Sequence, residues 1–465
     1  MATKMDGKRI LVIGSGLSGV GAVRLLHQVG AVPVLLDENE QMTPEKIEQR
    51  LAGEDRGCTE ILLQKLVTVD LEGGAYSAVV PSPGVPLDTP AFDRIRAAKI
   101  PVWSEIELAF RFAKGKLIAI TGTNGKTTTT TLVGEIVKAA YGQNATHVVG
   151  NIGYSYAEAA LKTDADSVTV AEISSFQLEA VEEFHADVSA ILNITPDHLN
   201  RHHTMENYAA CKERVTNGQD AGQVCVLNYD NAYTREFGEK RCPARVLWFS
   251  SREELKDGIW LDGEQIVKSV QGEKTALMSV RDMHLVGRCN AENVMAAIGI
   301  ALSMGIPLHT ILTVVREFRA VEHRIEYVAT KNGVDYYNDS KATNPDAAIQ
   351  GIEAMERPTI LLGGGYDKGN TYDEWIEAFG GRVKLLVLIG ETADKIAACA
   401  KAHDFTDIVI AGSGEEALKL CKDSAKPGDA VLLSPACASW DMFPNYEARG
   451  RWFKDFVNEL SETTE

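Results

Sequence analysis

From Thr121 to Thr129 the chain places two glycines, an asparagine, one lysine and a run of hydroxyls directly after the apolar segment Leu117–Ile120. This order predicts a strand, a phosphate-binding turn and a helix. Glycines let backbone N–H groups approach phosphate oxygens, the Lys126 ammonium offsets their charge, and the Thr127 hydroxyl is placed to ligate Mg2+ at the positive end of the helix. Gly122, Thr123, Asn124, Gly125 and Thr128 complete the stretch that would wrap the phosphates. Where the usual triphosphate-binding signature opens on a glycine this chain has Ile120, so the match is to a shorter Gly-Thr-Asn-Gly-Lys-Thr form.

A second glycine turn, Gly14-Ser-Gly-Leu-Ser-Gly19, follows the apolar run Ile10–Ile13 and precedes a helix-periodic segment and a second apolar run ending at Leu36. That is a βαβ pattern, and Asp37 stands where an acidic residue meets a ribose in dinucleotide folds, about 20 residues past the glycines. The same geometry serves any diphosphate at a helix N-terminus, so it is read as a nucleotide-diphosphate site of unspecified base. Tyr76–Val85 reads as another strand ending in a Pro/Gly turn that includes Ser82 and Gly84. Further along, Val168–Glu172 and Val188–Ile194 have the composition of buried parallel strands, and their C-terminal ends deliver Glu172 and the Asp197-His198 pair toward the phosphates.

These residues need a large scaffold, and 465 residues suggest about three domains of ordinary size. Residues 245–285 read as hairpins on a sheet edge, Asn290–Met304 as a helix, and the runs at 334–338, 358–362, 383–389 and 430–434 as strands of a further parallel sheet. Domains are expected at 1–112, 113–320 and 321–465, with hinges near 112–116 and 319–324. The fold class expected is α/β: a Rossmann-like N-terminal domain, a central P-loop ATPase-type domain and a C-terminal Rossmann-like domain.

A formal net charge of −18 argues against nonspecific nucleic-acid binding through a basic face, and anionic ligands must be held by local cations, metal ions and helix N-termini. No apolar run of about 18 residues is present to span a bilayer, and residues 1–10 lack the pattern of a signal peptide. The eight cysteines are scattered without a Cys-x-x-Cys pair, which suits a reducing cytoplasm better than a disulfide framework or a zinc site.

Set side by side, Gly14–Gly19, Ser82-Pro-Gly84, Gly122–Thr128, Gly150-Asn-Ile-Gly153, Glu172–Leu178, Asn193–His198, Asn338-Asp-Ser-Lys-Ala-Thr-Asn344 and Ser434–Trp440 make the chain resemble the Mur ligases along nearly its whole length. Within that family the resemblance is to the branch that adds D-glutamate to UDP-N-acetylmuramoyl-L-alanine in cytoplasmic peptidoglycan precursor synthesis. It implies an ATP-dependent acid–amino-acid ligase that forms ADP and phosphate through an acyl phosphate. It also implies that Lys126 and the glycine turn hold the β and γ phosphates, that Thr127 and Glu172 hold one Mg2+, and that His198 helps hold a second.

Lys212, which on its own reads as a surface lysine, is by this resemblance carbamylated and a further metal ligand. Asn290 and Asn293 are implied near the adenine, Arg324 toward the phosphates and Asp339 on the ribose. The UDP substrate would meet Leu17, Ser18, Asp37, Ser82 and Gly84, with Asn151 near the sugar or peptide. D-glutamate would meet Thr343, Lys368, Ser439, Trp440 and Tyr446. The chain departs from the family pattern at Cys289, where a histidine is usual, at Asn200, where an aspartate is common, and at Trp440, where a leucine is common. A monomer is expected, with no nucleic-acid or membrane partner. Three other readings stay open on the residues: a related amide ligase with another amino acid, an NAD-dependent dehydrogenase built on Gly14–Gly19, and an ATP-binding module without ligation.

Overall fold

Three sheets of mostly parallel strands carry the structure, a computed structural model that describes residues 5–51, 59–71, 74–151, 154–319 and 321–461. Ile152 and Gly153 of the Gly150–Gly153 motif, Cys58 and the boundary residue Ala320 lie outside the described residues.

The first sheet runs in the order Glu60–Leu62, Val32–Leu36, Arg9–Ile13, Ala78–Pro81, all parallel. Its register sets Ile13 beside both Leu36 and Pro81, so the chain leaves the sheet at Gly14, Asp37 and Ser82 along one edge. The second sheet has nine strands. Its parallel centre is Val224–Asn228, Val188–Ile191, Lys116–Thr121, Val168–Glu172 and Thr146–Gly150, in that order. Strands Arg245–Ser250, Gly258–Asp262, Gln265–Val270 and Glu273–Ser279 extend it on one side, with an antiparallel pairing between Gly258–Asp262 and Gln265–Val270. Leu117–Thr121 and Val168–Glu172 are buried throughout, as strands covered on both faces must be. The third sheet is an antiparallel pair, Glu326–Lys331 with Val334–Asn338, continued by the parallel strands Ala430–Leu433, Thr359–Gly363, Val383–Leu388 and Ile408–Ile410.

The chain divides into two compact units, 1–278 with 293–315, and 279–292 with 316–465. The first unit holds the first two sheets on a shared core, in which Ile10, Val12 and Leu35 join Leu117, Ala119 and Val149 in one buried apolar cluster. Helices Leu17–Gln28, Glu105–Phe110 and Tyr156–Ala160 pack together here, and the approach is close: a Cβ on Gly21 would stand 2.3 Å from the Ser155 hydroxyl. The 112–116 hinge candidate is therefore interior to this unit, and Gly115, at φ +81°, is pressed against the Ser167 carbonyl. The chain passes between units at 278/279, 292/293 and 315/316, so the 319–324 candidate falls just inside the second unit.

Candidate active site

The phosphate-type turn forms as its residues demand. Strand Lys116–Thr121 ends, Gly122 adopts φ +154° and Gly125 φ +82°, and helix Lys126–Tyr141 begins with Gly125 as its N-cap. Only glycine tolerates both positions at ease. The N-cap Gly125 has no side chain to cap the helix, and a helix N-terminus behind a glycine turn is an arrangement that suits an anion.

The segment after strand Val188–Ile191 braces the turn from behind. Asn193 accepts from the Asn124 N–H through Oδ1 at 2.8 Å and donates through Nδ2 to the Asn124 carbonyl at 3.2 Å. Thr123 donates its N–H to the Asn193 carbonyl, and its hydroxyl accepts from the Thr195 N–H at 3.1 Å. On the other side, Asn293 stands so close that a Cβ on Gly125 would be 2.1 Å from its Oδ1, which also accepts from Thr129 Oγ1 at 3.3 Å.

Two lysines converge on a single carbonyl. Lys126 Nζ donates to the Gly122 and Thr123 carbonyls at 3.0 and 2.7 Å, and Lys212 Nζ donates to the same Gly122 carbonyl at 2.7 Å. Lys212, on helix Met205–Glu213, is 1% exposed, its ammonium lying 4.6 Å from the Tyr208 ring centre. Burial first, and then the charge on Lys126, hold its pKa well below the ordinary lysine value. It is not a surface lysine.

Glu172 ends its strand with only 2% exposure; Asn151 donates to its Oε1 at 3.3 Å, and its Oε2 is buried without a partner. Asn151, expected near the substrate, thus lies against the carboxylate expected to hold metal. His198 sits past the strand end rather than on it, in a left-handed conformation with φ +54°. Its ring is 3.5 Å from Asp197 Oδ2 and packs on Phe176, with centroids 4.9 Å apart. His202, in the same aromatic group, is bonded to Ser175 Oγ at 2.9 Å and lowered to about 4 by burial, with His198 and Arg201 adding to the effect.

An oxygen-rich set fits Mg2+, a hard cation that takes oxygen ligands. The unpartnered, buried Glu172 Oε2 is the observation that favours it, since such an atom otherwise costs about 1–3 kcal/mol. Thr127, 6% exposed, is on the first turn of the helix that follows strand Lys116–Thr121, whose Ile120 pairs with Glu172 at the same end of the sheet.

The N-terminal turn is ordered by its own acid. Asp37 Oδ2 accepts from the Ser15 N–H and hydroxyl at 2.9 and 2.5 Å, and Arg50 donates to Ser15 in turn. Burial opposes the charged form of Asp37, but the Ser15 hydroxyl and the N–H groups of Asn39 and Ser15 outweigh it and hold the pKa below the ordinary value. Ser82 Oγ reaches the Gly14 carbonyl at 3.3 Å, while Leu17 and Ser18 open the helix, Leu17 being 86% exposed. Gly84 follows Ser82 in the adjoining turn.

In the second unit, Lys368 Nζ lies 3.5 Å from the Thr343 carbonyl and 5.3 Å from the centre of the Trp440 ring, which meets Tyr366 at a tilt. Trp440 is 63% exposed, whereas the adjacent Ser439 is buried. Tyr446 opens helix Tyr446–Glu459, and its carbonyl accepts from Ser340 Oγ at 2.8 Å. Asp339 is buried, accepts from Ser434 Oγ and the Ile325 N–H, and is raised to about 7 by that burial despite Ser434 and Arg324. Arg324 keeps a buried Nε without a hydrogen-bond partner. The two asparagines expected near adenine are separated in role: Asn293 supports the Gly125 turn, and Asn290 donates to the Val286 carbonyl in the second unit. Cys289 cannot supply the hydrogen bonds of a histidine's two ring nitrogens, since a thiol offers only one weakly donating sulfur.

Sequence reasoning missed Asn193, Thr195, Tyr208 and Phe176 as the supports of the site. Their signal was weak, although three of them stand within the motifs quoted above.

Residues 120–301 match the Mur ligase middle domain, and residues 323–437 match the Mur ligase glutamate ligase domain. A UDP-N-acetylmuramoylalanine–D-glutamate ligase of Lachnospira eligens is 54% identical, covering 98% of this chain and 100% of its own length. This chain belongs to the Mur ligase family. A Mur ligase relative of the same description from Lachnoclostridium phytofermentans is 50% identical over 98% of this chain and 99% of its own. Among solved structures, the MurF ligase of Thermotoga maritima in complex with ADP has a TM-score of 0.58 at 15% identity, covering 99% of this chain and 98% of that one. The UDP-N-acetylmuramate–alanine ligase of the same organism also gives 0.58, at 16% identity over 97% and 99%. These two likenesses speak to the α/β fold of the Mur ligases.

Proposed function

We propose that this Mur ligase adds D-glutamate to UDP-N-acetylmuramoyl-L-alanine at the expense of ATP, acting in the cytoplasm as a monomer. The observation that carries the ATP half is the meeting of Lys126 and buried Lys212 on the Gly122 carbonyl, in the first unit that also holds Glu172 with its unpartnered oxygen. The choice of acceptor and amine is supported by the 54% identity to a relative whose name states both.

A carboxylate resists attack by an amine because it is negatively charged and lacks a leaving group. In the proposed reaction a carboxylate oxygen of the alanyl group attacks the γ-phosphorus, the bond to ADP breaks, and an acyl phosphate forms. The D-glutamate amine then attacks the acyl carbon, phosphate departs with its bridging oxygen, and the amine loses a proton. The protein's part is placement and charge: the helix N-terminus and Lys126 hold donor phosphates, and Asn193, Thr195 and Asn293 keep the turn in shape. Thr127, Glu172, His198 and a modified Lys212 would hold Mg2+, which when bound offsets the charge on the phosphate oxygens.

Carbamylation of Lys212 belongs to the same proposal. A buried amine with a lowered pKa is free to attack CO2, giving a carbamate and releasing one proton, which turns a donor into an anionic ligand. Residues 1–112, with Leu17, Ser18, Asp37, Ser82 and Gly84, would take the UDP substrate, assisted by Asn151; 113–320 would take ATP with help from Asn290, Arg324 and Asp339. Residues 321–465 would take D-glutamate, where Lys368 offers a cation and Thr343 and Ser439 offer hydroxyls beside Trp440 and Tyr446.

A phosphate-release assay tests this reading. Release from ATP should require both UDP-N-acetylmuramoyl-L-alanine and D-glutamate; equal release with another amino acid, or with none, would overturn it.

A further inference from the structure

Away from the nucleotide-type turns, two helices of the second unit bring a mixed ligand set to one place. Cys399 and His403 are one turn apart at the end of helix Ala393–Ala402, and Asp373 and Glu377 are one turn apart on helix Asp373–Glu377. Ligand atoms of Asp373, Cys399 and His403 all lie within 4.8 Å of one another. His403 Nε2 is 3.0 Å from Asp373 Oδ1, and its Nδ1 faces Glu377 Oε1 at 3.7 Å.

We propose that Asp373, Cys399 and His403 form a binding site for a thiophilic divalent cation of the zinc class, with one coordination position open to solvent. Tetrahedral zinc with bonds of roughly 2.0–2.3 Å to nitrogen, oxygen and sulfur needs ligand atoms roughly 3.3–3.6 Å apart, a small contraction from the spacing present. One sulfur, one imidazole and one carboxylate are a poor set for Mg2+ or Ca2+, which take oxygen ligands, and a good one for zinc. Glu377 completes the pattern, because a histidine that ligates through one nitrogen commonly gives its other N–H to a carboxylate.

The backbone that carries these ligands is firm. Trp375 and Ile376, between the two acids, are buried, and Trp375, Phe379 and Phe405 meet edge to face in sequence with centroids 5.5 and 5.0 Å apart. Without an ion the three side chains hold one another, Asp373 pairing with His403 and accepting from the Cys399 thiol, but a half-exposed arrangement of this kind contributes little by itself. Burial holds the Cys399 thiol above its ordinary pKa, so binding would release its proton to solvent. The scattered cysteines argue against a cysteine-rich zinc site; a site with one cysteine is outside that argument, because its partners are a histidine and a carboxylate, the latter from a second helix. An ion here would tie the two helices together, one helical turn from Lys395, whose 3.0 Å bridge to Asp367 joins helix Ala393–Ala402 to the loop that carries Lys368.

The test is a titration of the reduced, metal-stripped full-length protein with Co2+, in excess Mg2+ to fill oxygen-rich sites. The expected result is a thiolate-to-cobalt charge-transfer band with tetrahedral ligand-field absorption, saturating at one equivalent and abolished by Zn2+. Cys399→Ser should lose the charge-transfer band, Asp373→Asn should weaken binding by about tenfold or more, and Cys421→Ser should leave both unchanged. Should Cys399→Ser fail to match the wild type by circular dichroism, Asp373→Asn, on an exposed side chain, decides. Absence of a saturable thiolate band, or a band and affinity indifferent to both Cys399→Ser and Asp373→Asn, would overturn the proposal.

Discussion

Gly125 has the least freedom of any residue in the nucleotide turn, since it combines φ +82° with a Cβ position only 2.1 Å from Asn293 Oδ1. Gly125→Ala should weaken binding of a non-hydrolysable ATP analogue, measured by calorimetric titration, with backbone strain alone on the order of 1–3 kcal/mol. Adding Asn293→Ala removes the collision but not the strain, so the double variant should recover only part of the loss. Full recovery would mean that the left-handed conformation is unimportant. Lys212 allows a second expectation: wild-type activity should rise with added bicarbonate, while Lys212→Ala should lose roughly tenfold to a hundredfold in rate, as removal of support for a metal site does, and ignore bicarbonate. A folded Lys212→Ala enzyme with full activity would remove the carbamate from the account. Lys126 and Thr127 were legible because their chemistry follows from the order of a few adjacent residues. Lys212 was not, because helix Met205–Glu213 buries Tyr208, Ala209, Cys211 and Lys212 without an apolar stripe to announce it.

Helix Glu105–Phe110 shows how an element can carry buried charge into a shared core. Glu107 accepts the N–H groups of Glu182, Glu183 and Phe184 and pairs with Arg111 at 2.9 Å, so its carboxylate is saturated. Glu105 differs: Oε1 accepts from the Ala157 N–H, Oε2 is buried without a partner, and burial raises its pKa to about 7. The folded state therefore binds this proton more tightly than the unfolded chain. Stability contributed by the protonated group is whole below the unfolded value of 4.5 and falls as pH rises toward 7, by on the order of 3 kcal/mol if no other group responds. Glu105→Gln should flatten that part of the profile of urea midpoint against pH; an unchanged slope would show that the fall has another source. The parallel strands at this scale were legible, since Leu117–Ile120 and Val168–Glu172 are short apolar runs between turn signals. The strand expected to reach Ile194 stops at Ile191, because Leu192 to Thr195 turn aside to bond the Gly122–Asn124 turn, a tertiary demand that local composition does not encode.

For the whole molecule, charge and ligands have the same sign. A formal net charge of −18 repels a nucleotide-linked acid, and salt shortens that repulsion to about 10 Å at 0.1 M. At fixed Mg2+, kcat/KM for the UDP substrate should thus rise as ionic strength increases from low values; a steep fall would show that a local positive field governs capture. Family membership along the whole chain was legible because eight short motifs occur in order, whereas the common core of the first two sheets was not, since it depends on helices brought together from residues 17–28, 105–110 and 156–160. The proposed reaction has ATP activate the acceptor's own carboxylate before D-glutamate is joined. Its most direct test is ligation with UDP-N-acetylmuramoyl-L-alanine carrying oxygen-18 in both carboxylate oxygens, followed by mass spectrometry of the phosphate. One labelled oxygen per phosphate, appearing only when D-glutamate is present and ligated, is the expected result; unlabelled phosphate accompanying product formation would contradict the account.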